Sequence, residues 1–171
     1  MVRIGLLSDT HSYLDETIRL HLESCDEIWH AGDIGARKVT DTLASWKPLR
    51  AVVGNIDDAN MRLSYPEDLI FTVEGVKVVM THIGGYPGHY VSRVRQLLQA
   101  ERPKLYICGH SHILKVISDK SLGLLHMNPG AAGIHGFHHM RTLLRFTLDA
   151  GTIKDLEVVE LGLRGAIKQE G

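Results

Sequence analysis

Arg3-Ile4-Gly5-Leu6-Leu7-Ser8 is a short, almost wholly apolar run that ends at Asp9-Thr10-His11. A run of this length without polar alternation suits a strand buried on both faces. The same design recurs four times. Glu27-Ile28-Trp29-His30-Ala31 ends at Gly32-Asp33, and Arg50-Ala51-Val52-Val53 ends at Gly54-Asn55. Val76-Lys77-Val78-Val79-Met80 ends at Thr81-His82, and Lys104-Leu105-Tyr106-Ile107-Cys108 ends at Gly109-His110-Ser111-His112. Helical patterns separate the early runs. Leu14, Ile18, Leu22 and Cys25 fall near helical spacing, with Ser12 expected as the N-cap and Asp15 and Glu16 in the first turn. Ala36, Val39, Leu43 and Trp46 form a second stripe stopped by Pro48, and a third runs from Tyr90 through Leu98 to a stop at Pro103. Strand and helix in alternation imply parallel strands joined by right-handed crossovers.

The second half favours hairpins. Leu69 to Val73 and Val76 to Met80 are joined by Glu74-Gly75, and Thr142 to Leu148 and Thr152 to Val159 flank Asp149-Ala150-Gly151. The expected fold class is α/β, with two mixed β-sheets packed together and helices on the outer faces. No repeat, low-complexity tract or linker interrupts residues 1–171, so one domain is expected, with an irregular tail from Leu161 to Gly171. At 171 residues, folding buries roughly 70% of the surface of the unfolded chain, so stability needs no staple.

Composition narrows the function. The net charge of −1 argues against a surface built for polymeric nucleic acid, though a single nucleotide remains an acceptable substrate. Cys25 and Cys108 sit in or beside apolar runs and are expected as buried thiols. The apolar run at the N-terminus is too short for a leader or a membrane span, so a cytoplasmic location is expected.

In open α/β sheets, sites form beyond the carboxyl ends of strands. Five strand ends deliver Asp9, His11, Asp33, Asn55, His82, His110 and His112 to one edge. Three of these, Asp33, Asn55 and His110, directly follow a glycine, which permits a sharp turn. Mixed nitrogen and oxygen donors without thiolate suit Mn²⁺, Fe²⁺, Zn²⁺ or Ni²⁺ better than Ca²⁺. Seven ligands exceed one tetrahedral site and suit two ions sharing a carboxylate, which in phosphoester hydrolysis sit roughly 3.5–4 Å apart.

The order Asp9-x-His11, Gly32-Asp33, Gly54-Asn55-x-Asp57, His82, Gly109-His110-x-His112 resembles the calcineurin-like metallophosphoesterases. The short length and Asn128-Pro129-Gly130 are similar to the small bacterial and archaeal phosphodiesterase branch, the YfcE-like proteins. The resemblance covers about residues 1 to 148 and implies a four-layer α/β/β/α sandwich. It implies a phosphodiesterase with two divalent ions, Mn²⁺ foremost, and a small phosphodiester as substrate. It assigns one ion to Asp9, His11 and His112 and the other to Asn55, His82 and His110, with Asp33 bridging. A water or hydroxide between the metals would attack phosphorus in line, and Asn55 would also donate to the phosphate. Asp33 and Asn55 are thus the expected catalytic residues. Two positions depart from the family pattern. Ile56 stands where larger relatives carry a histidine that serves the leaving group, so aryl or nucleotide-type leaving groups are expected over alkyl ones. Ala131 stands where the branch often has serine.

Tyr86 and His89, in the loop after His82, are the expected substrate contacts. Asp57 is read either as a carboxylate that orients a metal-bound histidine or as part of a solvated loop. Arg37, Arg62 and Arg141 are candidates for phosphate contact. His30 and His126 are expected to be packed and hydrogen-bonded, and at least two of His135, His138 and His139 to lie on the surface. Two alternatives stay open: a phosphomonoesterase with the same site, and a protein-binding scaffold of the kind the related retromer subunit represents. No membrane partner is expected, and the sequence permits a homo-oligomer without showing its surface.

Overall fold

The computed structural model describes residues 1–167. In chain order the elements are β1 (Val2–Leu7), α1 (Glu16–Leu22), β2 (Glu27–His30), α2 (Arg37–Trp46), β3 (Leu49–Ala51), α3 (Ala59–Ser64), β4 (Leu69–Val73) and β5 (Val76–Met80). There follow α4 (Ser92–Glu101), β6 (Leu105–Ile107), β7 (Leu114–Asp119), β8 (Leu124–Pro129), β9 (Met140–Asp149), β10 (Thr152–Leu163) and a 3₁₀ turn, Arg164–Ala166. They build two five-stranded sheets, ordered β10-β9-β1-β2-β3 and β4-β5-β6-β8-β7. In the first, β1, β2 and β3 are parallel and β9 and β10 antiparallel. In the second, β5, β6 and β8 are parallel, with antiparallel β4 and β7 at the edges.

The sheets face each other across one apolar layer. Ile4, Leu6, Trp29, Leu144 and Phe146 from the first meet Val78, Met80, Leu105, Ile107 and Met127 from the second, all fully buried. Full burial of each such side chain contributes about 1.5–3 kcal/mol. The outer face of the first sheet is covered by α1, α2 and α3 through Ile18, Leu22, Val39, Leu43 and Met61. The outer face of the second is covered by α4 through Val94 and Leu98, packed on Val79, Tyr106 and Cys108. The architecture is therefore a four-layer α/β/β/α sandwich of two mixed sheets flanked by helices. Each central strand is covered on both faces, which is why it reads as an unbroken apolar run. Cys25 and Cys108 are free and buried.

The structure corrects several local expectations. The N-cap of α1 is Asp15, not Ser12: Asp15 is extended and its Oδ1 accepts from the Ile18 amide at 2.9 Å. Ser12 instead has φ +69° and its Oγ accepts from the Ala36 amide at 2.8 Å, tying the β1 loop to the start of α2. The stretch after Asn55 is not simply loop, because Asp58 caps α3 through a bond from the Met61 amide at 2.9 Å. A six-residue helix with one buried side chain is too short to print a readable period. The β7–β8 hairpin also went unnoticed in the sequence, since β7 at its sheet edge is only partly buried over most of its length. The tail is more regular than expected: β10 continues to Leu163 and the 3₁₀ turn follows, while residues 168–171 lie outside the described residues. Among the described residues no helix is long and apolar enough to cross a membrane.

Candidate metal centre

The carboxyl ends of β1, β2, β3, β5 and β6 converge at one edge of the sandwich. Asp9 and His11 follow β1, Asp33 follows β2, Asn55 follows β3, His82 follows β5, and His110 and His112 follow β6. Asp9 lies 3.2 Å from His112 Nε2 and 3.8 Å from His82 Nε2 through its Oδ1. Asp33 lies 3.3 Å from His82 Nε2 through Oδ1 and 3.4 Å from His11 Nε2 through Oδ2. Asn55 Oδ1 is 3.1 Å from His110 Nδ1. The charged and imidazole donors form two groups, Asp9 with His11 and His112, and Asp33 with His82 and His110. Within each group the ligand atoms lie within 4.8 Å of one another.

The backbone is bent to make this convergence. Asp9, His11, Asp33, His110 and His112 all have positive φ, from +43° to +73°. Each non-glycine residue held there costs on the order of 1–3 kcal/mol, which persists only where the surroundings impose it. Of the glycines before the site, Gly32 turns through a φ of +100° and also leaves room, while Gly54 serves by the room it leaves. A Cβ on Gly32 would lie 2.6 Å from His82 Nδ1, and one on Gly54 would collide with the Asp33 carboxylate and backbone nitrogen.

Asp9 and Asp33 are nearly inaccessible, and the side chains that face them are imidazoles. Burial alone would raise both carboxyls. For Asp9 the nearby imidazoles of His112 and His82 outweigh it, and for Asp33 those of His11 and His82 do, so both sit below the ordinary carboxylate range. Burial would lower His82, but the nearby Asp33 and Asp9 carboxylates and the Ala31 carbonyl outweigh it and raise its pKa. Its Nδ1 lies 2.7 Å from the Ala31 carbonyl and donates there, which leaves Nε2 bare toward the carboxylates. Asp9 Oδ1, His11 Nε2 and His82 Nε2 are buried with no hydrogen-bond partner. Unpaired buried polar atoms are costly. Three of them aimed into one gap, among nitrogen and oxygen donors, fit divalent metal ions.

Residues outside the predicted ligand set hold these loops, among them His30, which is packed and hydrogen-bonded as expected. Ser8 Oγ donates to Asp9 Oδ2 at 2.7 Å, and the His110 amide donates to the same oxygen at 3.1 Å. His30 Nδ1 accepts from the Gly32 amide at 3.1 Å, so its Nε2 donates to Thr10 Oγ1 at 2.9 Å, and Thr10 donates on to the Ile34 carbonyl. Burial pushes His30 down to about 4, which keeps this relay neutral. Asn128 donates to the Gly109 carbonyl and to Ser111 Oγ, both at 3.0 Å, and so pins the loop that carries His110 and His112. The Asn128-Pro129-Gly130 turn signal could have pointed to it.

The structure also sorts the residues of uncertain role. Asp57 touches no histidine; it is buried and accepts from the amides of Ile34, Gly35 and Gly54 at 3.2, 2.9 and 2.7 Å. Arg37 donates to the Asn60 carbonyl and Ser64, Arg62 to the carbonyls of Asp57 and Gly54, and Arg141 is buried against Asp15 and Ala132. All three are engaged in the scaffold. His126 is buried as expected, but neither ring nitrogen has a hydrogen-bond partner. His135 and His139 are exposed, while His138 is half-buried, packs edge-on to His112 at 5.2 Å and bonds the Gly133 carbonyl.

A cleft of about 570 Å³ opens over the site, lined by His11, Asp33, Asn55, His110 and His112 on the floor and by Ile56, Ile113, His135 and Phe137 among its other walls. His135 stacks on His11 with ring centroids 4.6 Å apart. Tyr86 lies in a smaller cavity of about 180 Å³ that shares His110, Ser111 and Ile113 with the main cleft. The exposed His89 packs on Tyr86 at 4.7 Å and lines neither cavity.

Residues 2–151 match the calcineurin-like phosphoesterase superfamily domain, and the chain belongs to this family. It is similar to a probable metallophosphoesterase of Methanothermobacter thermautotrophicus, 27% identical over 135 residues that cover 75% of this chain and 76% of that one. Among solved structures it superposes on a novel archaeal phosphodiesterase with a TM-score of 0.72, at 19% identity, covering 92% of this chain and 99% of that one. It superposes equally on Vps29 of Entamoeba histolytica complexed with zinc, with a TM-score of 0.70, at 15% identity, over 94% of this chain and 99% of that one. The two structural likenesses show a shared fold. Family and donor groups together indicate a metallophosphoesterase that takes divalent metal ions.

Proposed function

We propose that the chain is a phosphodiesterase with a dinuclear metal site, taking Mn²⁺ first among Mn²⁺, Fe²⁺, Zn²⁺ and Ni²⁺, and acting in the cytoplasm on a small phosphodiester. The observation that carries this is the pair of donor groups meeting through Asp9 and Asp33, with three buried ligand atoms left bare between them. Asp9, His11 and His112 would hold one ion, Asn55, His82 and His110 the other, and Asp33 would serve both. Bound there, such ions lower the pKa of a water and offset charge on the phosphoryl oxygens.

The chain's own groups do the rest. Asn55 is exposed on the cleft floor, with Oδ1 turned to His110, so its amide nitrogen can donate to a phosphoryl oxygen. Ile56, beside it, cannot hand a proton to a departing alkoxide. A general acid missing from this position costs about 10²–10⁴-fold, most severely with poor leaving groups. The site therefore suits aryl or nucleotide-type leaving groups, and a phosphodiesterase is favoured over a phosphomonoesterase. The phosphodiesterase among its structural neighbours supports the same reading.

The deciding experiment strips the protein of metal, restores Mn²⁺ and follows hydrolysis of bis(p-nitrophenyl) phosphate, beside Asp33→Asn. Activity should return with metal in the parent and stay at least 100-fold lower in the variant, on the scale that removing a charge-stabilising group costs. A folded protein that hydrolyses nothing with any divalent metal would exclude the enzyme and leave the scaffold, for which Vps29 offers the structural precedent.

A further inference from the structure

The floor and rim of the main cleft differ in chemistry. The floor is imidazole and carboxylate, while the rim carries Ile56, Ile113 and Phe137, which are 45%, 60% and 97% exposed. They come from three separate segments: the loop after β3, the loop between β6 and β7, and the loop between β8 and β9. Scattered exposed apolar residues are ordinary, but three that converge on one polar floor mark a binding surface. The charges point the same way. Among the described residues no Lys or Arg lines this cleft. A ligand's phosphoryl charge can be met at the floor, but further negative charge on its arms would be desolvated there without a partner.

Given a phosphodiesterase at this site, we propose that Ile56, Ile113 and Phe137 set substrate specificity by seating one arm of the diester, and that this arm is an uncharged planar apolar group, an aromatic ring or nucleobase. The phosphate anchors on the floor and the ring lies against Phe137 and the two isoleucines. Arms that carry additional phosphate or carboxylate are rejected.

Phenylphosphonate and methylphosphonate carry the same phosphonyl group and differ in the arm, so their binding isolates the rim. Each is titrated calorimetrically into the Mn²⁺-loaded protein, beside 4-phosphonobenzoate and beside the double variant Phe137→Ala/Ile113→Ser. Both replaced side chains are exposed, so the core is left intact. Phenylphosphonate should bind at least tenfold tighter than methylphosphonate, and 4-phosphonobenzoate at least tenfold weaker than phenylphosphonate. In the double variant the phenyl preference should fall to near unity. Equal binding of the phenyl and methyl compounds by the parent protein would overturn the rim assignment and leave the phosphodiesterase reading standing. A preference that survives in the variant, with a change of oligomeric state instead, would overturn it too and make the patch a contact between copies. Failure of both phosphonates to bind would strike the phosphodiesterase reading itself and the rim with it.

Discussion

Replacing Asp57 tests whether the loops at the centre are held by a single carboxylate. Its side chain accepts three backbone amides, from Ile34 and Gly35 in the loop after β2 and from Gly54 in the loop after β3. The first loop begins at Asp33 and the second delivers Asn55, so Asp57 joins two strand ends that feed the site. In Asp57→Ala the amides of Ile34 and Gly54, both in buried surroundings, lose their acceptor, while that of Gly35 is part-buried and reaches water more readily. Each buried donor left unpaired costs about 1–3 kcal/mol, so the loss is about 2–6 kcal/mol. For a chain of this size 1 kcal/mol moves the Tm by about 2–4 °C, which gives a drop of roughly 4–24 °C. Asp57→Asn keeps one oxygen, enough for Ile34 and Gly54 together, but turns its NH2 donor toward the part-buried Gly35 amide, and should lose about 1–3 kcal/mol, less than Asp57→Ala. Thermal melts of the metal-free proteins read the stability, and Mn²⁺ titration of restored hydrolysis reads the site, where Asp57→Ala should need at least tenfold more metal. Two results would refute the reasoning: Asp57→Ala melting within 2 °C of the parent with an unchanged titration, or Asp57→Asn proving as damaging as Asp57→Ala.

Two further outcomes are expected. Gly54→Ala places a Cβ against the carboxylate and backbone nitrogen of Asp33 and should abolish metal-restored hydrolysis, while Gly165→Ala, which meets nothing within 4 Å, should melt and turn over like the parent. Burial pushes His126 down to about 4, below its unfolded value, so between about pH 6.5 and 4 the unfolded state binds the extra proton and stability falls as the solution is acidified. This contributes roughly 1.4 kcal/mol per pH unit inside that window. His126→Phe should remove its share of the loss while His30 keeps its own, measured by urea unfolding at pH 6.5 and 5, and should not weaken the protein at neutral pH, because neither ring nitrogen is hydrogen-bonded. A variant with the parent's pH slope would count against this.

The central strands and most helices were readable because each answers to a local rule. A strand covered on both faces has to be apolar throughout, and the helices on the outer faces leave a stripe. The polar residues that follow such strands stand out against those runs, so Asp9, His11, Asp33, Asn55, His82, His110 and His112 could be collected from the sequence alone. Short or half-exposed elements gave less signal. The α3 helix buries only Met61, and β7 is covered on one side. Ser12 and Asp15 are both chemically acceptable N-caps, and the choice fell to the backbone: Ser12 is left-handed where a cap must be extended.

Residue types and order along the chain therefore determined the fold class and the chemistry available at the strand ends. The tertiary structure decided how those groups divide and what each neighbour does. Asp57 and Arg62, whose types and positions left their roles open, satisfy backbone amides and carbonyls, while Ser8, His30 and Asn128 hold the ligand loops. Periodicity records only which way a side chain faces within its own element. Whether a carboxylate meets an imidazole or a backbone amide depends on loops brought together from distant parts of the chain, and no local pattern carries that distance.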